Sequence, residues 1–323
     1  MPTKHANHQM AGSRSMETKM LQSSLDKSNN RITRRHFALS LAISFGLPRA
    51  ANAVEDPLLA PPEALRLSAP PADVIDQVTP KLGVPTGIVF GDSIQKLIAA
   101  RVLEPAKLRA LDKDLPDWIQ RLLAAPSEEP ILFSEETAPY LVNLLWPLGL
   151  ANRVSFNAKS PINTLRIPGF ASTGGWTLGR APNGYVFFNQ VDAIELTDAQ
   201  QAIALEVAKT TFRPCCDNST FFQDCNHGSA LLGLLELAAS QGATEQGLYG
   251  LALTANSFWF ADYYAKTALY FAHFHHMDWN AIPPKAVLGR EYSSLSGWEK
   301  NVNERLLQAN VMLPGQSKGQ QAC

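Results

Sequence analysis

The sequence predicts a mainly α protein: a single helical domain with a small irregular β/loop insertion. Three observations predict it. Capping residues and glycine or proline stops bracket runs in which apolar residues recur three and four positions apart. Turn and strand signals concentrate in one stretch, residues 153–190. Hydrophobic residues make up 46% of the 323 residues, which places the chain among globular proteins rather than disordered ones.

Taken in chain order, Asp92 is placed to cap a helix running to Ala100. Pro105–Leu111 and Pro116–Ala124 read as two short helices that each start on a proline. Pro130–Phe133 is a short strand candidate. Ser134-Glu135-Glu136-Thr137 opens a helix with Leu141, Leu144, Leu145 and Leu148 on one stripe, and Gly149 reads as its stop. The Gly-, Asn- and Ser-rich stretch that follows carries "FASTGGWTLG" and "NGYVFF", which predict an irregular loop with a small hairpin. Thr197 caps a helix to about Phe212, ended by Pro214. A further helix runs to Gln241 with Gly242 beyond it, and Thr244 starts a long aromatic-rich helix reaching His275. Its aromatic side chains are read as packing, because such side chains dominate cores.

The N-terminus has a different character. Thr33-Arg34-Arg35-His36-Phe37 resembles a twin-arginine export signature. A short apolar run and the small-residue exit Ala51-Asn52-Ala53 follow, which together read as a removable signal peptide. The expected organisation is a signal at 1–53, a proline-rich arm at 54–80, a helical domain at 81–315 and a polar tail at 316–323. The expected location is periplasmic or extracellular. Removing the 8 basic and 2 acidic residues of positions 1–53 from totals of 28 and 29 leaves 20 and 27, a net charge of −7. Such a chain lacks the basic footprint of a nucleic-acid binder. No apolar run after the signal is long enough for a membrane span.

The chemistry-bearing segment is "RPCCDNSTFFQDCNHG", residues 213–228. It holds three of the chain's four cysteines. Cys215 and Cys216 follow one helix end, and Cys225 and His227 stand at the next helix start. Asp224 or Asn226 can cap that helix, or support the site from behind, and Gly228 allows close backbone approach. Three readings stay open. The first is a metal site with Cys215, Cys216, Cys225 and His227 as ligands, suited to tetrahedral Zn(II) or to Cu(I). Adjacent cysteines reach one ion only if the chain bends between the helices. The second is a disulfide from Cys225 to Cys215 or Cys216 in a stapled, non-enzymatic interaction protein. The third is a thiol-disulfide oxidoreductase using Cys225, with His227 as its base and a small-molecule or protein redox partner.

Two carboxylates and a histidine trio complete the candidates. Glu236 lies in the almost wholly apolar "ALLGLLELAAS" and Glu206 in the preceding helix. Glu236 reads as an ion-pair partner of Arg213 or Lys209, or else as a ligand or general base facing the corner. His273, His275 and His276 read as an exposed helix end. Ser172 is not a nucleophile elbow, and no phosphate or dinucleotide loop is present.

The blocks "NLLWPLGLANR", "FASTGGWTLG", "RPCCDNSTFFQDCNHGSALLGLLELAASQG" and "NSFWF" resemble a family of exported bacterial proteins with no assigned activity, over about residues 85–298. The resemblance implies that Cys215, Cys216, Asn218, Asp224, Cys225, Asn226, His227 and Gly228 belong to the family motif. It supplies no mechanism.

Overall fold

The computed structural model describes residues 66–313; the expected signal peptide, most of the proline-rich arm, the tail and Cys323 lie outside them. The described chain is mainly helical with one two-stranded sheet. In order come α1 (Ala72–Val78), β1 (Val84–Gly91), α2 (Ser93–Ala99), α3 (Pro105–Leu111), α4 (Asp117–Ala124), β2 (Ser127–Phe133) and α5 (Ala138–Ala151). Then follow α6 (Ala171–Gly174), α7 (Asp198–Thr210), α8 (Asn226–Ser240), α9 (Glu245–Trp259) and α10 (Ala261–His275). Four short helices close the described chain: α11 (Pro284–Val287), α12 (Arg290–Ser293), α13 (Leu295–Trp298) and α14 (Glu304–Gln308). No described helix is long and apolar enough to cross a membrane.

Helix α8 is the centre of the core. Every residue from Gly228 to Ala239 is buried, so the helix has no solvent face. It packs against α5, α7 and α9. The crossing with α5 is closer than side chains allow. A Cβ on Gly149 would stand 1.9 Å from the Ser229 carbonyl oxygen, and one on Gly233 would stand 2.6 Å from that of Leu145. Gly149 is therefore a contact residue inside α5 and not its stop; the helix continues to Ala151.

The strands also differ from expectation. The Pro130–Phe133 candidate grows into β2, which pairs antiparallel with β1 in a register from Val84↔Phe133 to Gly91↔Ser127. β1 contains Pro85 and two glycines at positive φ, Gly87 and Gly91, which hide its pattern. The expected hairpin in 153–190 is absent. That stretch folds as α6 and short 3₁₀ turns at Ser155–Lys159, Ile167–Gly169 and Gly184–Phe187. Its turn residues close tight helical turns rather than pairing strands.

Two further differences bear on the site. The arm is not wholly extended, because α1 lies within it and Leu67 bonds the backbone of Val311 and Leu313. The single long helix expected after Thr244 is two helices, broken at Phe260 (φ −133°, ψ 47°). Neither glycine nor proline marks the break. The Phe260 ring instead turns toward His227, with centroids 4.8 Å apart.

Candidate metal centre

Capping fixes the two ends of the cysteine loop. α7 starts in a reciprocal capping box between Thr197 and Gln200, and its C-cap is Thr211. At the far end Cys225 is the N-cap of α8, since its Sγ accepts the Gly228 N–H at 3.3 Å. Asp224 and Asn226 thus yield the expected capping role to Cys225. A turn in which Arg213 O accepts the Cys216 N–H at 3.4 Å bends the chain at Pro214-Cys215. That bend lets two adjacent cysteines face one point.

The sulfurs of Cys215, Cys216 and Cys225 all lie within 4.8 Å of one another, and those of Cys215 and Cys225 are 3.9 Å apart. Cys225 is buried, whereas Cys215 and Cys216 are half-buried. Cys216 is held toward its thiol form by hydrogen bonds to Cys215 and Cys225, and burial pushes the same way. Metal binding at such a group must release its proton.

Arg213 organises the cluster. Its guanidinium is fully buried. Nε donates to Cys225 Sγ at 3.2 Å, one Nη to Asp224 Oδ1 at 3.0 Å, and the other to the Asn218 carbonyl at 3.3 Å. Burial alone would weaken its hold on the proton. The neighbouring sulfurs of Cys225, Cys216 and Cys215, together with Asp224, outweigh that and keep it firmly charged. Burial first, and the neighbouring Cys225 sulfur with it, holds the Asp224 carboxyl above its ordinary value despite Arg213 and Asn218, which pull it down. Asn218 Nδ2 donates to the other Asp224 oxygen at 2.7 Å. Gly228 completes the fit, because a Cβ there would stand 2.3 Å from an Arg213 Nη.

The rest of the loop is sewn to its surroundings. Gln223 Nε2 donates to Asn157 Oδ1, and its Oε1 accepts from Ser229 Oγ at 3.1 Å. Ser172 is buried, and its Oγ donates to the Gln223 carbonyl at 2.7 Å; it anchors the loop. From the other side the Leu295 N–H donates to Cys216 O, and Ser296 donates to Asp217 Oδ1 from both N and Oγ at 2.8 Å. The start of α13 thus clasps the cysteine turn.

The other candidates are placed apart. The imidazole of His227 does not join the three sulfurs within their 4.8 Å circle. It lies against Trp259 and Phe260, and burial pushes it down to about 4, so it is neutral at pH 7. Glu236 does not pair with Arg213 or Lys209. It is fully buried and accepts from Asn152 Nδ2 at 2.9 Å, while its other oxygen has no hydrogen-bond partner among the described residues. Burial holds its carboxyl well above the ordinary range, which makes it a protonated core acid. Glu206 is exposed on α7. His273, His275 and His276 are exposed at the end of α10 and belong to no metal-capable group among the described residues.

Sequence reasoning underrated Arg213 and Ser172 and missed Gln223. The available signal was Arg213 itself, a charged residue directly before Pro214 at a helix end. No family model, no curated protein and no solved structure matches the chain.

Proposed function

We propose that Cys215, Cys216 and Cys225 bind one soft metal ion, Zn(II) or Cu(I), in an exported protein whose leader is the segment at 1–53. The observation that carries the reading is the spacing of the sulfurs. With metal–sulfur bonds of about 2.3 Å, a 3.9 Å sulfur separation subtends about 116° at the ion, between tetrahedral and trigonal geometry. Cys215 and Cys225 therefore straddle an ion as they stand. The remaining sulfur separations, at most 4.8 Å, need to close by up to about 1 Å to reach the same geometry.

Charge supports the same reading. Arg213 and Asp224 offset each other, so a dication with three thiolates leaves about one negative charge, met by the Arg213 and Gly228 N–H donors on Cys225. The three-sulfur site leaves out His227, whose ring lies against Phe260, so the fourth position on the ion is left to an outside donor. In an oxidising compartment a bound ion would also protect the thiols.

The test is metal analysis of the purified protein after growth in zinc and in copper. About one ion per chain is expected, and Cys225→Ser should lose it. A content far below that in the unaltered protein contradicts the reading. The same 3.9 Å distance favours a second reading, closure of Cys215 and Cys225 to a disulfide in a thiol oxidoreductase or a stapled protein. Alkylation under denaturing, non-reducing conditions separates the two: the metal reading leaves all three thiols reactive once a chelator is added.

A further inference from the structure

Closed structural thiolate centres take four protein ligands, whereas centres that do chemistry keep one position free. Among the described residues, three sulfurs form the donor group and no carboxylate or imidazole joins them within 4.8 Å. The nearby carboxylate of Asp224 is engaged by Arg213 and Asn218, at 3.0 and 2.7 Å. The nearby imidazole of His227 lies against Phe260, with the two rings tilted 48° to each other.

The three sulfurs are also unequal. Cys225 is 3% exposed and anchored by the Arg213 Nε and Gly228 N–H donors. Cys215 and Cys216 are half-buried, so each keeps some contact with solvent. An ion there is rooted at Cys225 and reachable past the two less buried sulfurs. Because both are half-buried rather than exposed, a small thiol reaches the ion more readily than a cysteine carried on a folded partner.

Resting on the metal reading above, we propose that the cluster is an exchange site, which passes its soft ion to and from a low-molecular-weight thiol. The incoming thiol takes the fourth position on the ion. A new metal–sulfur bond forms, the bond to Cys216 breaks, and the proton of the incoming thiol passes to the Cys216 sulfur. No electrons change hands. Cys216 is the ligand that leaves, because Cys225 is anchored and Cys215 stays 3.9 Å from it as the second arm of the chelate.

The test uses the full chain loaded with Zn(II), together with its Cys323→Ser variant, so that the chain's own fourth cysteine cannot supply the thiol. Release to an excess of the chromophoric chelator 4-(2-pyridylazo)resorcinol is followed by stopped flow over a series of N-acetylcysteine concentrations. The release rate should double when the thiol concentration doubles, in both proteins. Cys216→Ser should release the ion rapidly with no dependence on thiol. A loaded protein whose release rate ignores the thiol overturns the exchange proposal and leaves the metal reading standing. A protein that takes up no zinc or copper overturns the metal reading, and the exchange proposal with it.

Discussion

Arg213 shows how one side chain makes a cluster of sulfurs tolerable in a core. It is a buried cation whose donors are divided among a sulfur, a carboxylate and a carbonyl, and it needs the missing side chain of Gly228 to fit. Removing one partner of a buried ion pair is costly, so Arg213→Met should lower stability by about 3–5 kcal/mol in denaturant unfolding. It should also weaken metal uptake at protein concentrations where the fold survives. Unchanged uptake would show that the guanidinium does not shape the site. Glu236 gives a second prediction. Its folded carboxyl titrates above its unfolded one, so its contribution is fully present below the unfolded pKa and is lost as pH rises through the folded value. The slope approaches about 1.4 kcal/mol per pH unit. Glu236→Gln keeps an acceptor for Asn152 and removes this loss, so the variant should gain on the parent as pH rises from 5 to 8. Parallel pH profiles for the two proteins would contradict the assignment. The cysteines were legible in the sequence because cysteine chemistry is local. The role of Arg213 was not, because it depends on a contact with Gly228 across the loop, and Glu236 was misread because its partner, Asn152, is distant in sequence.

At the scale of elements, the site exists because α7 ends and α8 begins on opposite sides of one turn, while α5 fixes where α8 lies. The α5–α8 crossing depends on Gly149 and Gly233, where backbone meets backbone. Gly233→Ala should cost about 1–3 kcal/mol, as overpacking against a carbonyl cannot relax by rotating a side chain. Equal denaturation midpoints for variant and parent would contradict that. Most helices were legible, since α3 and α8 carry clear starts and stops, and Thr197 forms the capping box expected of it. Three elements were not. β1 is interrupted by Pro85 and Gly87, the 153–190 stretch uses its turn residues in 3₁₀ turns, and the break between α9 and α10 has no local marker. That break comes from tertiary packing: Phe260 leaves helical geometry where its ring meets His227.

For the whole molecule, the core and the cluster are one construction. Helix α8, buried from Gly228 to Ala239, offers its N-terminus to the sulfurs, and α13 closes over the turn from the other side. Binding an ion to the folded state alone should therefore stabilise the entire described domain, by about 4 kcal/mol at a thousandfold excess over the dissociation constant. The melting temperature should rise with metal concentration and fall on adding a chelator. Helical content was predicted from residue periodicity, and the almost wholly apolar run around Glu236 pointed to burial, but the close crossing with α5 at Gly149 and Gly233 was not legible because it is a long-range contact. The most direct test of the central claim is X-ray absorption spectroscopy at the metal edge of protein loaded with one equivalent of Zn(II) or Cu(I). A first shell of three sulfurs at about 2.3 Å is expected. A shell made only of nitrogen and oxygen, or a spectrum unchanged by Cys225→Ser, would contradict it.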